Sequence, residues 1–163
     1  MNSKDLLHEF QSTWPIDRLK KMELSEYTNA DTKDNFIYWI VSKTHDLGSL
    51  GRIFPGNFGI HYVSKNKQGR PFKEKAYTSD GNYQWFTKLG ENIDKIYTDV
   101  KSKIVKIAEA SISNNFESID SIKLSDAIKW KIAYLYSPDN IVAILKKNWL
   151  INVAISMNVP NAS

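Results

Sequence analysis

The chain has 163 residues, 42% hydrophobic and 12% aromatic, with a formal net charge of +4. That composition suits one folded domain with a core of its own and argues against disorder. The absence of cysteine excludes disulfides and thiolate zinc sites, and His8, His45 and His61 have no partner at metal-ligand spacing.

Taken in chain order, "SKDLLHEF" (3–10) predicts a short helix with Ser3 at its N-cap. "WPIDRLKKM" predicts a second, with Pro15 at its first turn. "LSEYTNADTKDNF" reads as polar and turn-forming. Phe36, Ile37, Ile40, Val41, Thr44 and Leu47 recur at helical spacing, which predicts a helix near 33–47 ended by Gly48. From 48 to 90 the texture changes. Six of the seven glycines fall between Gly48 and Gly81, separated by the short runs "FGIHYV", "KAYTS" and "YQWF", with "SDGN" as a turn. This predicts two to four short antiparallel strands.

A long helix is expected near 91–112, on the stripe Ile93, Ile96, Tyr97, Val100, Ile104, Ile107 and Ala108, and "SNNFES" breaks it. "IKWKIAYLY" (128–136) alternates, with Ile128, Trp130, Ile132 and Tyr134 on one side and Lys129 and Lys131 on the other. It favours a strand, although "LSDAIKWK" can begin as a helix. "IVAIL" (141–145) reads as a buried strand and 146–157 as a last helix. Trp39 is assigned to the core or a helix–sheet contact, and Trp130 and Trp149 to the core. The expected fold is α+β, a single domain with a small curved antiparallel sheet flanked by helices. It spans residues 1–157, with 158–163 as a polar tail or linker. No run approaches the roughly 18 apolar residues of a membrane span, and "MNSKDLLHEF" lacks a signal-like apolar run, so no membrane contact and a cytoplasmic location are expected.

Charge is unevenly placed. Residues 1–60 hold seven Lys/Arg against eight Asp/Glu, and residues 61–163 hold fifteen against ten. Within 61–75, Lys65, Lys67, Arg70, Lys73 and Lys75 face one acid, Glu74. A local cationic run of this kind suits a polyanion as well as it suits a solvated loop. Catalytic patterns are not found. The chain has no GxSxG elbow and no GxxxxGK[ST] phosphate loop, and "GSLGRIFPG" lacks the Lys-Ser/Thr that would hold a nucleotide. Asp94 and Asp99 lie along an amphipathic helix, where a solvated face is the simpler reading. No enzyme activity and no cofactor are expected of this domain.

Several blocks in combination carry a resemblance: "WPIDRLKKMELSEYTN", "FIYWIVSKTHDLGSLG", "FGIHY", "TSDGNYQWFTKLG" and "AIKWKIAYLYSPDN". Their order resembles the N-terminal DNA-recognition domain of McrB-like restriction subunits, over roughly residues 14 to 150. The resemblance implies a specificity domain for double-stranded DNA, reading a modified base or, in some members, an unmodified sequence. It implies a GTPase domain absent from this sequence and, through it, a McrC-like nuclease partner. On this view Lys65, Lys67, Arg70, Lys73, Lys75 and Lys88 would contact phosphates. Tyr77, Tyr83 and Trp85 would wall a base pocket or contact a base, with Trp85 facing outward if Phe86 faces the core. A protein-interaction module and a binder of single-stranded RNA are the other classes the sequence allows.

Overall fold

The computed structural model describes residues 2–29, 31–51, 55–63, 69, 72–73, 76–142 and 147–157. They form a mostly helical α+β domain with a small antiparallel sheet. Helix α1 spans Ser3–Thr13, and its cap is Asn2 rather than Ser3. The Asn2 side chain accepts the Asp5 N–H at 2.9 Å, the bond a cap residue must supply to an orphan donor. Pro15 is the N-cap of α2 (Ile16–Lys21). The stretch expected to be turn-forming holds one turn of helix, α3 (Leu24–Tyr27), closed by reciprocal capping between Glu23 and Glu26.

The helix expected near 33–47 is shorter and changes form. Asn35 caps α4 (Phe36–Tyr38), which runs into a π-helix over Trp39–Lys43 and a 3-10 turn over His45–Leu47. Thr44 widens the turn: its N–H and its hydroxyl both donate to the Trp39 carbonyl, at 3.0 and 2.8 Å. Gly48 ends it at a φ of 119°, as its position suggested.

The sheet contains β1 (Ile60–Tyr62), β2 (Phe72–Lys73), β3 (Tyr77–Ser79) and β4 (Tyr83–Phe86) in the order β1-β4-β3-β2, all antiparallel. Strands β1, β4 and β3 form its body, and the two-residue β2 adds at one edge. Gly59 brings β1 against the next helix: a Cβ there would sit 2.7 Å from Val100 Cγ2, at a φ of +85°. That helix, α5 (Ile93–Ile112), buries the stripe the sequence predicted and packs on α2, on α6 (Phe116–Ser121) and on α7 (Asp126–Tyr136).

Helix α7 corrects the strand expected over 128–136. Ile128, Ile132 and Leu135 are fully buried at helical spacing, and the Ser111 hydroxyl on α5 donates to the Ala133 carbonyl at 2.6 Å. Lys129 and Lys131, placed on the other side of the expected strand from Ile128 and Ile132, are buried as well. Lys131 Nζ donates to the Thr44 and Gly48 carbonyls at 2.6 and 2.8 Å, and Lys129 Nζ meets Asp126 at 3.0 Å. Trp130 is half-buried against the core. Ile141 and Val142 are not in a strand, and the rest of "IVAIL" lies outside the described residues. The last helix, α8 (Lys147–Ser156), falls where expected. The tail 158–163 and the side chain of Trp149 lie outside the described residues. The core joins the helices through an aromatic cluster in which Trp14 meets Phe36 edge-on at 5.3 Å and Trp39 is 2% exposed. Among the described residues no helix is long and apolar enough to cross a membrane.

Candidate nucleic-acid interface

Strand β4 ends at Phe86 and passes directly into a 3-10 turn, Thr87–Leu89, which puts Lys88 in solvent. Gly90 closes that turn at a φ of 120°, and its carbonyl accepts Trp85 Nε1–H at 2.9 Å. Asn92 then caps α5, its side chain accepting the Lys95 N–H at 2.9 Å. The turn, the first turns of α5 and residues 123–125 before α7 enclose a groove of about 780 Å³. Its apolar lining includes Phe86, Leu89, Ile96 and Val100; its charged lining is Lys88, Lys95, Lys103 and Lys123 against Glu91 and Asp99. Lys103 is paired with Asp99 at 2.6 Å. Among the described residues, Lys88, Lys95 and Lys123 have no carboxylate partner, and all three are exposed. The positive end of the α5 dipole adds to the same field.

Of the cationic run, Lys65, Lys67, Arg70 and Lys75 lie outside the described residues. Only the backbone of Lys73 is placed, in β2 opposite Thr78. Ala76, which follows the run, is placed: its carbonyl accepts the Thr87 N–H at 3.0 Å. That bond brings Ala76 beside Thr87, the residue before Lys88.

The three aromatic candidates do not converge. Trp85 is 2% exposed, opposite Ile60 and Thr78 on the core face. The expectation that it faces outward is corrected: the alternation holds, but its phase is reversed, and Phe86 is the residue on the outer face. There Phe86 stacks on its cross-strand partner Tyr77, with centroids 4.9 Å apart and planes 25° apart, while Lys88 Nζ sits 5.3 Å from the Phe86 ring. Tyr83 lies on the opposite face, edge-on to Tyr62 at 5.3 Å. Tyr77 and Tyr83 thus cannot wall one pocket through this sheet.

Sequence reasoning named Lys88 but missed Lys95 and Lys123 as its neighbours, since they come from separate elements. Among the described residues, no three His, Cys, Asp or Glu side chains are grouped to hold a metal ion. Compared with models of protein families, with curated proteins and with solved structures, the chain matches none.

Proposed function

We propose that this domain binds duplex DNA as the specificity domain of a McrBC-like restriction system, with a methylated or otherwise modified base as its target. The observation that carries the reading is the groove in which Lys88, Lys95 and Lys123 stand without carboxylate partners among the described residues. Lysines already paired with acids gain little from a phosphate, whereas unpaired ones release counterions from DNA when they bind it. The half-buried Phe86 and the exposed Leu89 beside them offer apolar surface against sugars or base edges. GTP hydrolysis and strand cleavage belong, in this reading, to a GTPase domain and a McrC-like nuclease subunit. The domain alone then leaves GTP and supercoiled plasmid intact; nicking abolished by Asp94→Ala or Asp99→Ala would contradict this.

A second reading, stacking of single-stranded RNA on the sheet, has the outer-face pair Tyr77 and Phe86 behind it. Those rings already cover one another, which leaves less π surface for bases. The test is a binding panel of one duplex carrying cytosine, 5-methylcytosine, 5-hydroxymethylcytosine or 6-methyladenine, with single-stranded RNA as competitor. Preference for one modified duplex, weakening steeply with salt, is expected. Equal binding across the panel moves the reading to an unmodified sequence. Affinity indifferent to salt, or displacement by RNA alone, overturns it.

A further inference from the structure

A 3-10 turn over Pro55–Phe58 leads into β1 and contributes one wall of the lysine groove. The Gly56 carbonyl accepts the Gly59 N–H at 3.0 Å, which closes the turn. Two buried glycines press it against side chains that line the same groove. A Cβ on Gly56 would stand 2.8 Å from Phe86 Cε2, and Gly59 approaches Val100 as closely, so neither position has room for a side chain. Between them Phe58 is 2% exposed, and its carbonyl accepts the Tyr27 hydroxyl. Of residues 56–59, Asn57 alone is exposed, and it lines the groove.

Two carboxamides line this groove. Asn92 commits its oxygen to the Lys95 N–H as the cap of α5. Asn57 makes no side-chain hydrogen bond among the described residues. A carboxamide carries a donor beside an acceptor and no charge. It releases no counterion, so it adds little to phosphate contacts that lysines already supply. Its match is a base edge that sets an acceptor beside a donor. In the major groove that edge is adenine N7 and N6. The clamped turn fixes the backbone of Asn57 beforehand, which limits the ordering lost on binding.

We propose that Asn57 is a specificity-determining residue of the groove, its carboxamide reading the N7 and N6 edge of one adenine while the lysines hold phosphates. This rests on the DNA-binding reading and adds to it the residue and the base that set sequence preference.

The test pairs a change in the protein with a change in the base. The wild-type domain selects its preferred duplex from a randomised pool, prepared with cytosine and with 5-methylcytosine. Each adenine of that duplex is then replaced in turn by 7-deazaadenine, which lacks the N7 acceptor. At one adenine the replacement is expected to weaken wild-type binding at least about fivefold and to leave Asn57→Ala binding nearly unchanged. Asn57→Ala itself should weaken the preferred duplex about 5- to 150-fold, with scrambled-duplex affinity, salt slope and melting temperature unchanged. Asn57→Ser, too short to reach both atoms, gives the same readings if Asn57→Ala does not fold. Equal losses with 7-deazaadenine in both proteins, or no loss in either, overturn the inference. So does an Asn57→Ala that weakens preferred and scrambled duplex alike. A wild type that binds DNA but selects no preferred duplex overturns it too and leaves the groove standing. A wild type that binds no duplex removes the DNA-binding reading and the inference with it.

Discussion

Lys131 and Lys88 occupy contrasting surroundings in one small domain. Lys131 is fully buried in α7, and its ammonium is held by two backbone carbonyls that close the π and 3-10 turns after Trp39. Lys88 stands in solvent on a turn, with Lys95 and Lys123 across a groove and no carboxylate partner among the described residues. The first ties down two backbone carbonyls 83 and 87 residues away, so it serves the fold. The second leaves its charge available, as the proposed DNA contact requires. Lysine content alone does not distinguish these roles; the partners of each nitrogen do.

The contrast is sharpest where a side chain was expected on the binding side and lies on the folding side. Trp85→Ala removes a core indole and its bond to the Gly90 carbonyl, and is expected to cost about 3–5 kcal/mol in urea unfolding. The affinity of the molecules that remain folded is expected to be unchanged.

Lys131 gives a pH signature. Burial pushes its pKa down from 10.5 to about 8. Between these values the unfolded chain binds the extra proton, so stability rises as pH goes from about 8 towards 10.5, by up to about 3 kcal/mol. Tyr27, Tyr97 and Tyr136 act the other way. Burial raises all three above 10, so the unfolded chain loses their protons first and stability falls at pH above about 10. Melting measured from pH 7 to 11 should pass through a maximum, and Lys131→Met should flatten the rising limb. A flat wild-type profile would remove the claim that this lysine is held dry.

Gly59 is a smaller test of how the sheet meets α5. Gly59→Ala sets a Cβ against Val100 at a positive φ, and a loss of about 2 kcal/mol is expected in the same unfolding assay. Gly59→Ala combined with Val100→Ala should recover part of that loss, because the close contact is relieved while the backbone strain stays.

The helical half was largely legible in the sequence, because α5 carries one unbroken apolar stripe from Ile96 to Ala108. Helix α7 was not. Its lysines alternate with apolar residues as in a half-buried strand, and nothing local says that Lys131 reaches carbonyls 83 and 87 residues away. The π-turn at Trp39 was hidden for a similar reason: it depends on the Thr44 hydroxyl, not on periodicity. In the sheet, alternation was readable but its phase was not, since Trp85 and Phe86 are both apolar and only the neighbouring layers decide which turns inward. Lys88 was legible as a cation past a strand end. The groove was not, because it joins Lys88, Lys95 and Lys123 from three elements.

The most direct measurement is the salt dependence of duplex binding, wild type against the combined variant Lys88→Ala, Lys95→Ala and Lys123→Ala. If each lysine neutralises one phosphate, the slope of log affinity against log salt becomes shallower by about 2–3 units, and affinity near 50 mM salt falls at least tenfold. The melting temperature should stay the same, because none of the three side chains is buried. An unchanged slope with intact folding would contradict the assignment of the groove to DNA.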